Sequence, residues 1–156
     1  MMLRTHLALI VAVILLFLPH VSSNLVGKLL FVFIALIAAM LPDIDTGFST
    51  IGRMRGFRFL QFFVRHRGFL HSFTFCIIVS IAFAIFLPFA ALPFFLGYVV
   101  HLFLDSFTID GIMPFWPWKK TSKWRLKTGS LFETSMFLLL ILLDIFLVII
   151  IFGKIF

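Results

Sequence analysis

Five apolar runs alternate along the chain with short polar or basic segments. The first, Leu3–Leu18, stops at Pro19. Its sixteen residues would make roughly 24 Å of helix, short of a hydrocarbon core of roughly 30 Å. A turn at Ser22-Ser23-Asn24 leads into Leu25–Leu41, which should end at Pro42 because a residue before proline disfavours the helical conformation. Asp43-Ile44-Asp45-Thr46-Gly47 then follows as a polar loop, read as extended chain. The third run is Phe69–Leu87. A break between Pro88 and Pro93 precedes a fourth, which reaches Phe107. The last, Leu131–Phe152, is interrupted only by Asp144.

The segments between the runs have their own signatures. Ser49–Arg67 sets five arginines among Phe57, Phe59, Phe62 and Phe63, a composition suited to an amphipathic segment in the headgroup layer. Thr108–Ser130 places Trp116, Trp118 and Trp124 beside Lys119, Lys120, Lys123, Arg125 and Lys127, as interfacial loops do. Both segments read most simply as membrane anchors.

Composition agrees with a bilayer. Only 12% of residues are charged, against about 25% in soluble domains, and the mean hydropathy is +1.22. The expected fold is all-α: a polytopic membrane helix bundle of about five transmembrane helices with interfacial helical loops, in a single domain over residues 1–156. There is no internal repeat. Threading five spans puts eleven of the thirteen Lys and Arg residues on one side and leaves Lys28 and Lys154 on the other. The positive-inside rule makes the basic side cytoplasmic, which predicts a multi-pass inner-membrane protein with its N-terminus in the cytoplasm. The net charge of +7 suits anionic lipid better than nucleic acid, so membrane lipids are the expected partners; a protein partner is not specified. Cys76 alone gives no disulfide framework and reads as a small buried residue. Arg4, the first apolar run and Val21-Ser22-Ser23 also have the outline of a signal peptide, whose removal would discard His6.

The same threading gathers the titratable residues. His6 opens span one, Asp43 and Asp45 close span two, and His66 and His71 precede or open span three. His101 and Asp105 lie late in span four, Glu133 opens span five, and all meet on the basic side. Intramembrane charges cost about 2.5–3.5 kcal/mol each, so such sorting asks for a purpose. His101 and Asp105 are four apart and can reach one point from one helical turn. Asp43 and Asp45 can chelate one ion or bridge two. His66 and His71, about 140° apart around a helix, converge only if Gly68 breaks it. The candidate metal ligands are therefore His6, Asp43, Asp45, His66, His71, His101, Asp105 and Glu133, for one or two divalent ions. Mixed imidazole and carboxylate donors favour zinc, with manganese or iron as alternatives. The candidate catalytic residues are Glu133, as ligand or general base, Asp45, and Arg67, whose planar fork suits a phosphate. Ser72 and Ser106 are supporting groups rather than nucleophiles. Taken singly, each element has a plainer reading. A His–Asp pair in a membrane helix can be an interhelical hydrogen bond, Pro-Asp-Ile-Asp a capped turn, and Asp144 a buried interhelix contact. Together, eight candidate donors on one side outweigh these readings.

At these residues the chain resembles the YdjM-like family, described as LexA-binding, inner-membrane-associated metal-dependent hydrolases. The resemblance runs through Thr5-His6, Leu41-Pro42-Asp43-Ile44-Asp45 and His66-Arg67-Gly68-Phe69-Leu70-His71-Ser72. It continues through Gly97-Tyr98-Val99-Val100-His101 with Asp105, then Thr108, Gly111, Pro114, Trp116-Pro117 and Gly129-Ser130 with Glu133. Leu70 stands where a residue such as threonine is expected, which leaves the ligands untouched. The resemblance implies a multi-span protein with a predicted hydrolase site; it supplies no substrate, and the LexA link belongs to one branch. A fainter likeness to zinc-dependent phospholipase C and the P1-type nucleases, which also use a His-x3-Asp pair, suggests phosphoester chemistry. The sequence thus leads to a cytoplasm-facing metal-dependent hydrolase acting on a phosphoester or lipid-linked substrate. Its rivals are an ion- or proton-handling transporter using Asp144, and a scaffold with a structural metal.

Overall fold

A computed structural model describes residues 2–21, 24–45, 68–118 and 120–153, without the side chains of Asp45 and Phe152. Among the described residues five α-helices follow in order: α1 Leu3–Phe17, α2 Leu25–Met40, α3 Phe73–Phe86, α4 Pro88–Ser106 and α5 Leu131–Gly153. The all-helical membrane bundle expected from the apolar runs is what the chain forms. Among the described residues four helices, α1 and α2 with their 3-10 extensions together with α4 and α5, are long and apolar enough to cross a membrane. The fifth, α3, has 14 residues and spans only about 21 Å.

Three boundaries differ from the sequence reading, each for a local reason. The chain after α2 is not extended but continues as a 3-10 turn over Leu41–Asp45, since Leu41 keeps helical angles despite preceding Pro42. Helix α3 begins at Phe73 rather than Phe69, because the Ser72 hydroxyl caps it by accepting from the Phe75 amide at 3.1 Å. Helix α4 runs unbroken from Pro88 through Pro93, and the only interruption is Leu87. Pro88 occupies the first helical position, where no N–H is needed, and Pro93 is buried within the bundle, where neighbouring groups tolerate it.

Helix α4 is the hub, packing against α2, α3 and α1, while α1 also packs against α5. Small residues permit the closest of these approaches. A Cβ at Gly97 would lie 2.1 Å from the Ala35 carbonyl oxygen, so only glycine lets α2 and α4 meet there. Helices α3 and α4 form a hairpin zipped by Phe83 on Phe94 and Phe75 on Tyr98. Cys76 is fully buried in α3, as its size suggested.

The connection between α4 and α5 is not an interfacial helix. It is a folded cap held by backbone bridges pairing Thr108 with Leu126 and Ile112 with Ser122. Gly111, at φ +64°, turns the chain where a Cβ would strike the Ser122 carbonyl. The Phe73 amide donates to the Pro114 carbonyl at 2.8 Å, fastening the cap to the start of α3. The arginine-rich segment ending at Arg67 lies outside the described residues.

Candidate metal centre

Consecutive helices alternate in direction, so the starts of α1, α3 and α5 share one end of the bundle with the ends of α2 and α4. That end holds His6 in the first turn of α1, Asp43 in the 3-10 turn after α2 and His71 just before α3. It also holds His101 and Asp105 in the last turns of α4 and Glu133 in the first turn of α5. His71 reaches the site because residues 68–72 form a turn, closed by the His71 amide on the Gly68 carbonyl at 3.1 Å.

Asp105 is the focus. Its carboxylate faces His6 Nε2 at 3.3 Å, His101 Nε2 at 3.5 Å and His71 Nε2 at 3.8 Å. Asp43 approaches His101 Nε2 at 3.8 Å from the side that is partly open. The three imidazoles and Asp105 are buried. Two sets of donors lie within 4.8 Å of one another, His6/His101/Asp105 and Asp43/His71/His101.

These spacings fit a shared cation better than a hydrogen-bonded cluster. Charge-assisted N–H···O bonds run at about 2.7–2.9 Å. Two ligands on a tetrahedral ion at about 2.0–2.1 Å stand about 3.4 Å apart. The ring orientations agree. His101 Nδ1 lies 2.8 Å from the Ala39 carbonyl and His6 Nδ1 lies 3.1 Å from the Met2 carbonyl. A carbonyl can only accept, so each Nδ1 donates there, which leaves Nε2 as the ring atom turned toward Asp105. Both Nε2 atoms are buried without a hydrogen-bond partner among the described residues. Buried polar atoms are rarely left so, and a bound ion would satisfy both. The two donor sets share His101 Nε2, whose single lone pair serves one ion.

Glu133 is at this end but not in either donor set. Its Oε1 accepts from the Met2 amide and from the Thr5 hydroxyl at 3.1 Å, and its Oε2 accepts from the Gly129 amide at 2.6 Å. The described contacts of Glu133 are these hydrogen bonds, and the ligand or general-base role expected for it has no counterpart among them. The carboxylate clamps the start of α1 to the start of α5 and, through Met2, supports the ring of His6. Ser72 and Ser106 are likewise committed, each donating to a backbone carbonyl at 2.6 Å. Asp45's side chain, His66 and Arg67 lie outside the described residues, so their expected roles have no structural counterpart here. His20 is exposed at the far end of α1, and Asp144 is buried midway along α5.

Two contributors were not picked out from the sequence as parts of the site. The Ala39 carbonyl that orients His101 carries no side-chain signal. The pairing of Gly97 and His101, four apart, with Ala35 and Ala39, also four apart, was the pattern that could have revealed it. Thr108 stands out in the sequence only through the family resemblance; its Oγ1 donates to the Asp105 carbonyl at 2.7 Å and ties the cap to the end of α4.

A family profile described as YdjM inner membrane protein matches residues 1–155. Comparison with curated proteins and with solved structures returns no match.

Proposed function

Because the chain belongs to the YdjM inner membrane protein family, we propose that it is a membrane-embedded, metal-dependent hydrolase acting on a phosphoester, with a lipid-linked substrate as the leading candidate. The observation that supports this reading is the ring of imidazole Nε2 atoms 3.3–3.8 Å from the Asp105 carboxylate, with two of the rings oriented by backbone carbonyls. A divalent ion would be held by His6, His101 and Asp105, or by Asp43, His71 and His101 on the partly open side. The donor mixture favours zinc, with manganese or iron next. When bound, such an ion supplies Lewis acidity, polarising the bond attacked and making a water molecule more acidic.

The chain's own part is preorganisation. The Ala39 and Met2 carbonyls fix two imidazoles before any ligand arrives, and burial keeps bulk water from the back of the site. Asp43, with its side chain 24% exposed, lies on the side where water and substrate would enter and can accept a proton there. In this reading the end rich in Lys and Arg would face the cytoplasm. Burial of His6, His71 and His101 to 1% exposure or less also favours a second reading, an ion that holds the helix ends together without turnover.

The test is metal analysis of detergent-purified protein, wild type beside Asp43→Ala and His101→Ala, with turnover measured on phospholipids and soluble phosphoesters. The proposal expects stoichiometric metal in the wild type, loss of metal in His101→Ala, and turnover that follows metal content. Metal retained with no turnover on any substrate supports the structural ion. Absence of metal from the wild type, with no effect of His101→Ala, ends both.

A further inference from the structure

We propose that the cap between α4 and α5, with the apolar groove beneath it, binds one anionic phosphate-bearing lipid. The cap carries an open pocket of about 780 Å³ bordered by Ile109, Lys123, Trp124 and Arg125. Its walls are fixed by backbone bonds, Ile109 N–H to the Leu126 carbonyl at 3.2 Å and Trp124 N–H to the Thr108 carbonyl at 3.1 Å. The same ladder continues with Leu126 N–H to the Phe107 carbonyl at 3.2 Å. Phe107 and Leu126 also border a second cavity, of about 210 Å³, completed by Phe103, Leu104, Phe132 and Met136. A cationic cavity and an apolar one thus share a single rung of backbone.

The chemistry of the two halves defines the ligand. Lys123 and Arg125 place two cationic groups at the border of this pocket. An arginine fork and a lysine point charge together suit phosphate oxygens. Trp118 and Trp124 are 74% and 67% exposed, and indole rings with a polar edge belong at headgroup depth. The second cavity lies between the end of α4 and the start of α5 and offers only apolar side chains, which no soluble phosphate needs. A phosphate joined to a hydrocarbon chain satisfies both cavities at once.

The position links this site to the metal centre. Leu104 precedes Asp105, and Thr108, on the bonded rung, donates to the Asp105 carbonyl. A lipid held here sits on the structure immediately following the cluster. That it is the substrate rests on the hydrolase reading above; that it binds does not.

All three tryptophans lie between residues 116 and 124, so intrinsic fluorescence reports this segment directly. Full-length protein in detergent is titrated with dioctanoyl phosphatidic acid, dioctanoyl phosphatidylcholine and inorganic phosphate. Saturable binding of phosphatidic acid is expected, at least about tenfold tighter than of either comparison ligand. Lys123→Gln/Arg125→Gln should weaken it at least about tenfold, since both charge-assisted contacts to the phosphate are lost. Arg125→Lys, which keeps the charge, should stay closer to the wild type than the double variant and shows that the cap still folds. Phe132→Ala, at a 60% exposed position, should weaken the lipid several-fold and leave inorganic phosphate unchanged. Equal affinity for inorganic phosphate overturns the lipid assignment, as does equal affinity for phosphatidylcholine or an unaltered double variant. His101→Ala should retain lipid binding, so loss of turnover with binding intact separates failure of catalysis from failure of this site.

Discussion

Gly97→Ala tests how the bundle holds its candidate ligands. The added Cβ would lie 2.1 Å from the Ala35 carbonyl oxygen, and contacts below 3.0 Å do not persist, so α2 and α4 must part by about 0.9 Å. His101 stands one turn along the same face of α4, with its Nδ1 2.8 Å from the Ala39 carbonyl, one turn along α2 from Ala35. Carried along the helix pair, that retreat lengthens the bond to about 3.7 Å, past the range of a hydrogen bond. His101 then loses the partner that turns its Nε2 inward. Removing such a partner costs about 10–100-fold in metal affinity, and overpacking costs about 1–3 kcal/mol in stability. The assay is zinc competition titration of Gly97→Ala beside wild type and His101→Ala, with thermal unfolding in the same detergent. A Kd within about twofold of wild type would show that the α2–α4 approach does not set the site, and the reasoning would fail.

His101→Ala and Asp105→Asn should each abolish stoichiometric metal, since both contribute to the buried donor set; inductively coupled plasma analysis of purified protein decides. Glu133→Gln should lower stability by about 1–3 kcal/mol while leaving metal stoichiometry intact, because the carboxylate holds helix ends and not the ion; thermal shift with metal analysis separates the two effects. Asp144→Leu should be neutral or stabilising, since it removes a buried carboxylate whose Oδ1 has no hydrogen-bond partner among the described residues. A loss above about 2 kcal/mol on thermal unfolding would instead show that Asp144 has an essential contact.

Much of this protein is readable along the chain. Apolar runs and their proline and polar punctuation fix the helices to within a few residues, because burial in lipid depends on consecutive composition rather than on distant contacts. Alternation of helix direction then follows, and with it the gathering of His6, Asp43, His71, His101, Asp105 and Glu133 at one end. What the chain alone left open is which of these face a common point. Glu133 shares an end with the histidines, yet three donors from Met2, Thr5 and Gly129 occupy it. His101 owes its orientation to a carbonyl 62 residues away, delivered by a helix contact that only Gly97 and its alanine neighbours permit. Side-chain direction at a buried site depends on packing between helices remote in sequence. Local pattern determines that the donors arrive; tertiary contact decides which of them can share an ion.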